Sequence, residues 1–369
     1  MAQTVFDFGL HVVCPYYTMF PIGFPQRQLR RAGTGDWVLD PFCGRGTTLF
    51  AARAAGLPSV GVDSSPVAAA IAEAKLCWST PDQVVAEGER ILAETPEPEN
   101  IPAGEFWKMC FHPDTLRALC VIREALVRDC RSDARKLLRA LLLGRLHGPL
   151  RKASPSYLSN QMPRTYASKP AYAVRFWRER SLEPPRVDLL DLVRRSAPLY
   201  FGAMPPRVGA GGGVHCGDAR TISLSELGGP FAWTITSPPY YGMRTYVPDQ
   251  WLRYWFLGGP DQVAYDFEGQ LSHRSPEDFV GNLGMIWRRI AEASGPGARL
   301  VVRFGGIHDR KSSPKRLMME SLRASSRWRL TTVVSAGTPA RARRQANQFS
   351  LTQLKQPVEE ADYHAVLVD

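Results

Sequence analysis

Residues 36–75 constrain this chain more than any other stretch. Asp36-Trp-Val-Leu-Asp-Pro41 reads as a short apolar strand ending in a turn, and the glycine-rich run Phe42-Cys-Gly-Arg-Gly-Thr-Thr48 follows it. Leu49 to Ala55 continues as a helix that Gly56 stops. Ser59-Val-Gly-Val-Asp63 is a second buried strand. Ser64 or Ser65 then suits a helix cap, Pro66 the first turn, and Val67 to about Lys75 an alanine-rich helix. Strand, glycine loop, helix, strand, acid, helix is how a doubly wound α/β sheet opens, and such sheets bind ligands at the carboxyl ends of their strands.

The alternation then stops for more than a hundred residues. Segments 83–94, 113–129 and 133–147 carry helical periodicity, broken by Pro96, Pro98, Pro102 and Pro149, and two more helices are predicted near 170–180 and 187–199. Gly209-Ala-Gly-Gly-Gly213 closes this block as a flexible return. Strand patterns resume at 213–216, 231–236, 299–304, 329–334 and 364–368, so seven strands are expected in all. The expected division is 1–75 with 213–369 as one domain and 76–212 as a helical insertion.

Composition narrows the class. Hydrophobic residues make up 44% and charged residues 22%, which suits a soluble globular chain. Neither a signal peptide at Met1 to Phe8 nor an apolar run long enough to span a membrane is expected. The seven cysteines are odd in number, widely spaced and free of any C-x-x-C pair, and the seven histidines form no ligand-spaced cluster. A disulfide scaffold and a metal site are therefore not expected, and a reducing cytoplasm is. Lys plus Arg total 46 against 35 Asp plus Glu, and the net charge of +11 favours a polyanionic partner, nucleic acid first.

Two loops carry the chemistry. In Phe42-x-Gly44-x-Gly46 the glycines let the backbone approach a ligand, and Asp63, seventeen residues after Gly46, lies where an acid can take both ribose hydroxyls of an adenosine. No Gly-Lys-Ser/Thr follows, which disfavours a phosphate loop. The second loop is Thr236-Ser-Pro-Pro-Tyr240, straight after an apolar strand. Two prolines remove two backbone donors and hold the chain extended. The Ser237 hydroxyl and the Pro238 carbonyl can then accept from an exocyclic amino group, while Tyr240 or Tyr241 offers a stacking face. The alternative for both loops is an ordinary strand turn with no ligand.

The combination of Asp40-Pro-Phe-Cys-Gly-Arg-Gly-Thr-Thr48 with Thr236-Ser-Pro-Pro-Tyr240 resembles the amino-methylating DNA methyltransferases, which use S-adenosylmethionine. The resemblance covers 11–75 and 213–369. It implies a Rossmann-like α/β fold of the class I methyltransferase kind: a seven-stranded, mostly parallel sheet with a C-terminal antiparallel hairpin and a large helical insertion. It further implies a cofactor site at Tyr17, Phe20, Asp40, Phe42, Gly44, Gly46, Thr47, Thr48, Asp63, Asp218 and Ala219. The catalytic loop is then Ser237, Pro238, Pro239 and Tyr240, in the Ser form associated with cytosine N4 methylation. Adenine N6, an RNA base amino group, and a non-catalytic DNA-binding module on the same fold remain open. The carbon-5 cytosine reaction needs a Pro-Cys nucleophile, and the chain has no Pro-Cys dipeptide.

Double-stranded DNA is the expected partner and, by family analogy, a cognate restriction endonuclease acting on the same site; localisation follows as cytoplasmic, nucleoid-associated through DNA. The stretch Arg151 to Arg180 holds seven cations (Arg151, Lys152, Arg164, Lys169, Arg175, Arg178 and Arg180) against Glu179 alone. Tyr157, Tyr166, Tyr172, Phe176, Trp177, Asn160 and Gln161 are interleaved, a mix that suits phosphate contacts with base-edge readout in a target-recognition region. A solvated helical face is the plainer alternative. Arg341, Arg343 and Arg344, and a cluster from Arg310 to Arg316, are expected to clamp the DNA backbone.

Overall fold

In the computed structural model, which describes residues 9–15, 20–148, 156–163, 167–205, 211–242, 246–263, 265, 269–306, 312–337 and 360–368, each of the seven apolar runs is a strand. In chain order the elements begin with α1 (Gly23–Leu29), β1 (Trp37–Asp40), α2 (Thr47–Ala54), β2 (Ser59–Asp63) and α3 (Pro66–Ala74). The helical run follows: α4 (Pro81–Glu94), α5 (Glu105–Cys110), α6 (Pro113–Arg128), α7 (Asp133–Arg145), α8 (Pro170–Glu179) and α9 (Leu189–Phe201). The chain ends with β3 (Gly212–Cys216), β4 (Phe231–Thr236), α10 (Tyr246–Asp249), α11 (Trp251–Phe256), α12 (Pro276–Glu292), β5 (Ser294–Phe304), α13 (Pro314–Ser325), β6 (Trp328–Gly337) and β7 (Glu360–Leu367). No described helix is long and apolar enough to cross a membrane.

Two compact units emerge: Met1–Pro15 with Glu73–Pro205 and Thr245–Asp266, and Tyr16–Ala72 with Pro206–Arg244 and Phe267–Asp369. The first is helical. Its helices start where the sequence provides caps, as at Thr80, whose hydroxyl accepts from Gln83 N while Gln83 Oε1 accepts from Thr80 N (3.2 and 3.0 Å). Phe106, Trp107, Trp251 and Trp255 form its aromatic core, with ring centroids 4.6–5.9 Å apart.

The second unit is the sheet, in the order β3-β2-β1-β4-β5-β7-β6. β3, β2, β1, β4 and β5 pair in parallel, and β7 runs antiparallel between β5 and β6. This is the Rossmann-like architecture with a C-terminal antiparallel hairpin. One sheet face buries Leu39, Val60, Val62, Leu300, Val302 and Phe304 against Phe279, Leu283, Ile286 and Trp287 of α12 and Leu317 and Met318 of α13. Gly284 permits this close approach, because a Cβ there would lie 2.9 Å from Ala324 Cβ. α2 packs on the opposite face, where a Cβ at Gly61 would meet Leu49 at 2.6 Å. Helices α12 and α13 lie between strands the sequence reading tracked alone. β5 begins at Ser294 rather than 299, since its Gly295-Pro-Gly297 opening reads locally as a turn yet Ser294 pairs with Phe231 across a register shift.

Candidate active site

The strand order reverses between β1 and β4, because β1 is followed outward by β2 and β4 by β5. Pairing of Leu39 with Thr234 therefore brings the glycine loop after β1 and the Ser-Pro-Pro-Tyr loop after β4 side by side at the carboxyl edge. Asp40 and Thr236, 196 residues apart, meet there: Thr236 Oγ1 donates to Asp40 Oδ1 at 2.6 Å, and Phe42 N donates to the same oxygen at 3.2 Å. Asp40 is fully buried, and its Oδ2 has no hydrogen-bond donor among the described residues. Burial pushes its carboxyl up to about 7, against the pull of the Thr236 and Thr48 hydroxyls and the Phe42 amide. Thr48 Oγ1 donates to the Ile235 carbonyl (3.0 Å), a second tie between the loops, and Thr47 is buried beside it.

The glycine loop is held by β2. Cys43 N donates to Val62 O and Gly44 N to Asp63 Oδ2, both at 2.9 Å, while Ser65 N donates to Asp63 Oδ1 at 2.9 Å. Each Asp63 oxygen keeps acceptor capacity for a further donor. Burial raises the Asp63 carboxyl even against these two amides. Ser65 is also the cap of α3, its hydroxyl accepting from Ala68 N at 3.4 Å. Gly46 has φ +76, and a Cβ on it would lie 2.9 Å from Ala72 Cα, so only glycine lets α2 start against α3. Gly44 has φ +50 with nothing within 4 Å of its Cβ direction, which leaves open space over the loop. Phe42 is half-buried edge-on to Trp287, and Phe20 lies edge-on to Phe24 at 5.1 Å.

At the end of β3, Asp218 is gripped by Arg220, whose Nη2 lies 2.6 Å from Oδ2 and whose backbone N donates to Oδ1 at 2.8 Å. Burial works against this carboxylate, but the Arg220 bonds prevail and hold it below its ordinary range. Arg220 also reaches Asn282 Oδ1, and Ala219 is buried. In the second loop Pro238 is buried and Ser237 half-buried; the Ser237 hydroxyl makes no hydrogen bond to the described residues. Tyr240 is fixed by its hydroxyl on Glu360 Oε1 (2.7 Å) and by its edge contact with Phe304 at 5.4 Å. Tyr241 packs on Phe279, and Gly242 N donates to His273 Nδ1 at 3.1 Å. Arg220, Glu360 and His273 join the candidate site without having been named from the sequence, and Thr236, named there only as part of its motif, ties the two loops together. Of the first three, only Arg220 had a local signal, as a neighbour of named residues.

The open space over Gly44, the spare acceptor capacity of Asp63 and the orphaned Asp40 oxygen fit a cationic adenosine-bearing group. Residues 15–74 match the family model described as DNA methylase. Over these residues the chain is similar to the amino-methylating DNA methylases. Its cofactor is S-adenosylmethionine. The chain is also 40% identical over 68 residues to the type II methyltransferase M.MjaII of Methanocaldococcus jannaschii, an alignment covering 18% of this chain and 13% of that protein. Among solved structures, the rRNA methyltransferase aviRa of Streptomyces viridochromogenes aligns with 16% identity and a TM-score of 0.35, over 99% of this chain and 96% of that one. A SAM-dependent methyltransferase of Methanosarcina mazei aligns with 9% identity and a TM-score of 0.34, over 94% and 97%.

The basic stretch divides. Lys169 sits over Tyr265, Arg175 over Tyr172, and Arg175 and Arg180 share Glu179 (4.0 and 3.3 Å), while Arg178 pairs with Glu105. Asn160 is buried and donates to Met109 O and Leu182 O, and Trp177 is fully buried, so both are core residues rather than base readers. Tyr17, Arg151, Lys152, Arg164, Arg310, Arg341, Arg343 and Arg344 lie outside the described residues.

Proposed function

We propose that this chain is an S-adenosylmethionine-dependent methyltransferase that acts on the exocyclic amino group of a DNA base, cytosine N4 in the Ser form of its catalytic loop. The reading rests on the juxtaposition of the cofactor loop and an uncommitted Ser237 hydroxyl across paired β1 and β4. When bound, S-adenosylmethionine supplies an electrophilic methyl group. An exocyclic amino nitrogen is conjugated into its ring and is a poor nucleophile. The Ser237 hydroxyl and the Pro238 carbonyl accept hydrogen bonds from its two N–H groups and turn its lone pair toward the methyl position, so that positioning and fixed dipoles replace a strong base; the N–C bond forms as the S–C bond breaks, and the surplus proton leaves to solvent.

The Tyr240 hydroxyl on Glu360 holds the ring still, which suits it to receive an extruded base. Flipping that base costs a few kcal/mol, and stacking offsets about 1–3 kcal/mol of it. In this reading the helices between β2 and β3, with Lys169, Arg175 and Arg178, hold the flanking duplex as a target-recognition region. The test is methyl transfer from labelled S-adenosylmethionine to duplex DNA, with the modified nucleoside identified after digestion. Label on N4-methylcytosine supports the reading; label on no nucleoside overturns it.

A further inference from the structure

Away from both loops, the sheet unit carries a groove of about 300 Å3 on the face shared with α1. It is lined by Trp233, Val301 and His364, with Arg31 from the turn after α1 and Arg299 of β5. Trp233 precedes Ser237 by four strand residues, about 13 Å along β4, so this groove is separate from the carboxyl edge. No acid lines it. The nearby Asp36 carboxylate is held by Trp233 Nε1 (3.1 Å) and Gly33 N (2.8 Å). Arg299 lies over the Trp233 ring at 5.2 Å, which fixes its guanidinium at the mouth.

Arg27 stands in the last turn of α1, just before Arg31, and Arg329 faces the groove side of β6 because it pairs with Val366, which Arg299 also pairs with. All four arginines are exposed, and none makes an ion pair with the described residues. The contrast with the helical unit is sharp: there Arg90, Arg135, Arg139, Arg178, Arg186 and Arg194 are each paired with a carboxylate. Arg31 also bears on His364, which burial and the Arg31 charge together keep below its ordinary range despite Asp362. Unneutralised like charges converging from three separate elements repel one another unless an anion joins them. Guanidinium forks match phosphate oxygens in pairs.

We propose that this groove is a phosphate-binding site, taking either the backbone of nucleic acid or a free oligophosphate. The inference is independent of the methyl-transfer reading, because both probes are read without turnover. Inorganic tripolyphosphate is titrated calorimetrically, and a short DNA duplex is titrated by anisotropy over a salt series, on the full chain and on Arg31→Gln/Arg299→Gln. A charge-matched control is Arg288→Gln/Arg323→Gln, two exposed positions on α12 and α13. The groove variant is expected to lose about ten-fold or more in tripolyphosphate affinity, and the control to keep it. A duplex salt slope flattened by up to about two units identifies nucleic acid as the source, since each phosphate contact contributes about −0.9. An unchanged slope with tripolyphosphate binding lost identifies a free phosphate ligand. No tripolyphosphate binding by the wild type, or equal losses in groove variant and control, would overturn the proposal.

Discussion

Asp40 makes a pH-dependent prediction that tests the loop geometry before any ligand is added. Its carboxyl is fully buried and raised from 3.8 to about 7, chiefly by burial. In acid, folded and unfolded chains both hold the proton and the residue costs nothing. As pH rises, the unfolded chain releases its proton near 3.8, whereas the folded chain keeps it until about 7. Stability present below the lower value is therefore lost across that window, to a total of about 4 kcal/mol. Asp40→Asn keeps the shape and an oxygen for Thr236 Oγ1 and Phe42 N, and removes the ionisation. Urea unfolding of both chains at several pH values between about 4 and 8 is the assay, because every other titrating group cancels in the difference. The variant should gain on the wild type as pH rises, by up to about 4 kcal/mol. A difference that does not vary with pH would refute the burial of a neutral acid between β1 and β4.

Asp63→Ala removes the acceptor that holds Gly44 N and Ser65 N, so cofactor affinity should fall by about 1.5–3 kcal/mol in calorimetry; unchanged affinity would count against the assignment. Ser237→Ala should lower turnover far more than duplex binding, measured side by side, and equal loss of both would end its catalytic role. Tyr240→Phe removes only the bond to Glu360, while Tyr240→Ala removes the ring; the Ala variant should suffer more on a paired target than on a mismatched one, with equal loss on both speaking against base stacking. Arg175→Gln with Arg178→Gln should flatten the duplex salt slope by up to about two units, whereas their exposed pairs with Glu179 and Glu105 contribute no more than about 1 kcal/mol to stability.

The strands were legible because each is a short apolar run closed by glycine, proline or an acid, and the order of loops fixed which runs belong to the parallel sheet. The site was legible only within each loop. Asp40 and Thr236 stand in different motifs, and their bond depends on the pairing of β1 with β4, which no local pattern encodes. Tyr240 and Glu360 are 120 residues apart, and Arg220 takes hold of Asp218 through a turn in which alternate residues face one another. Charge along the sequence leaves out long-range pairing for a similar reason. The +6 stretch is partly neutralised by Glu105, 73 residues upstream of Arg178, while Arg31 and Arg299 of the groove, with Arg27 and Arg329 beside it, form no run in the sequence.

The proposed reaction moves a methyl group onto a base amino nitrogen at the two loops of the switch point. Its most direct test is expression of the chain in a methylation-free host, followed by modification-sensitive sequencing of the host DNA. N4-methylcytosine is expected at a fixed sequence context, absent from cells carrying Ser237→Ala. DNA without modification, from a chain that binds S-adenosylmethionine normally, would contradict it.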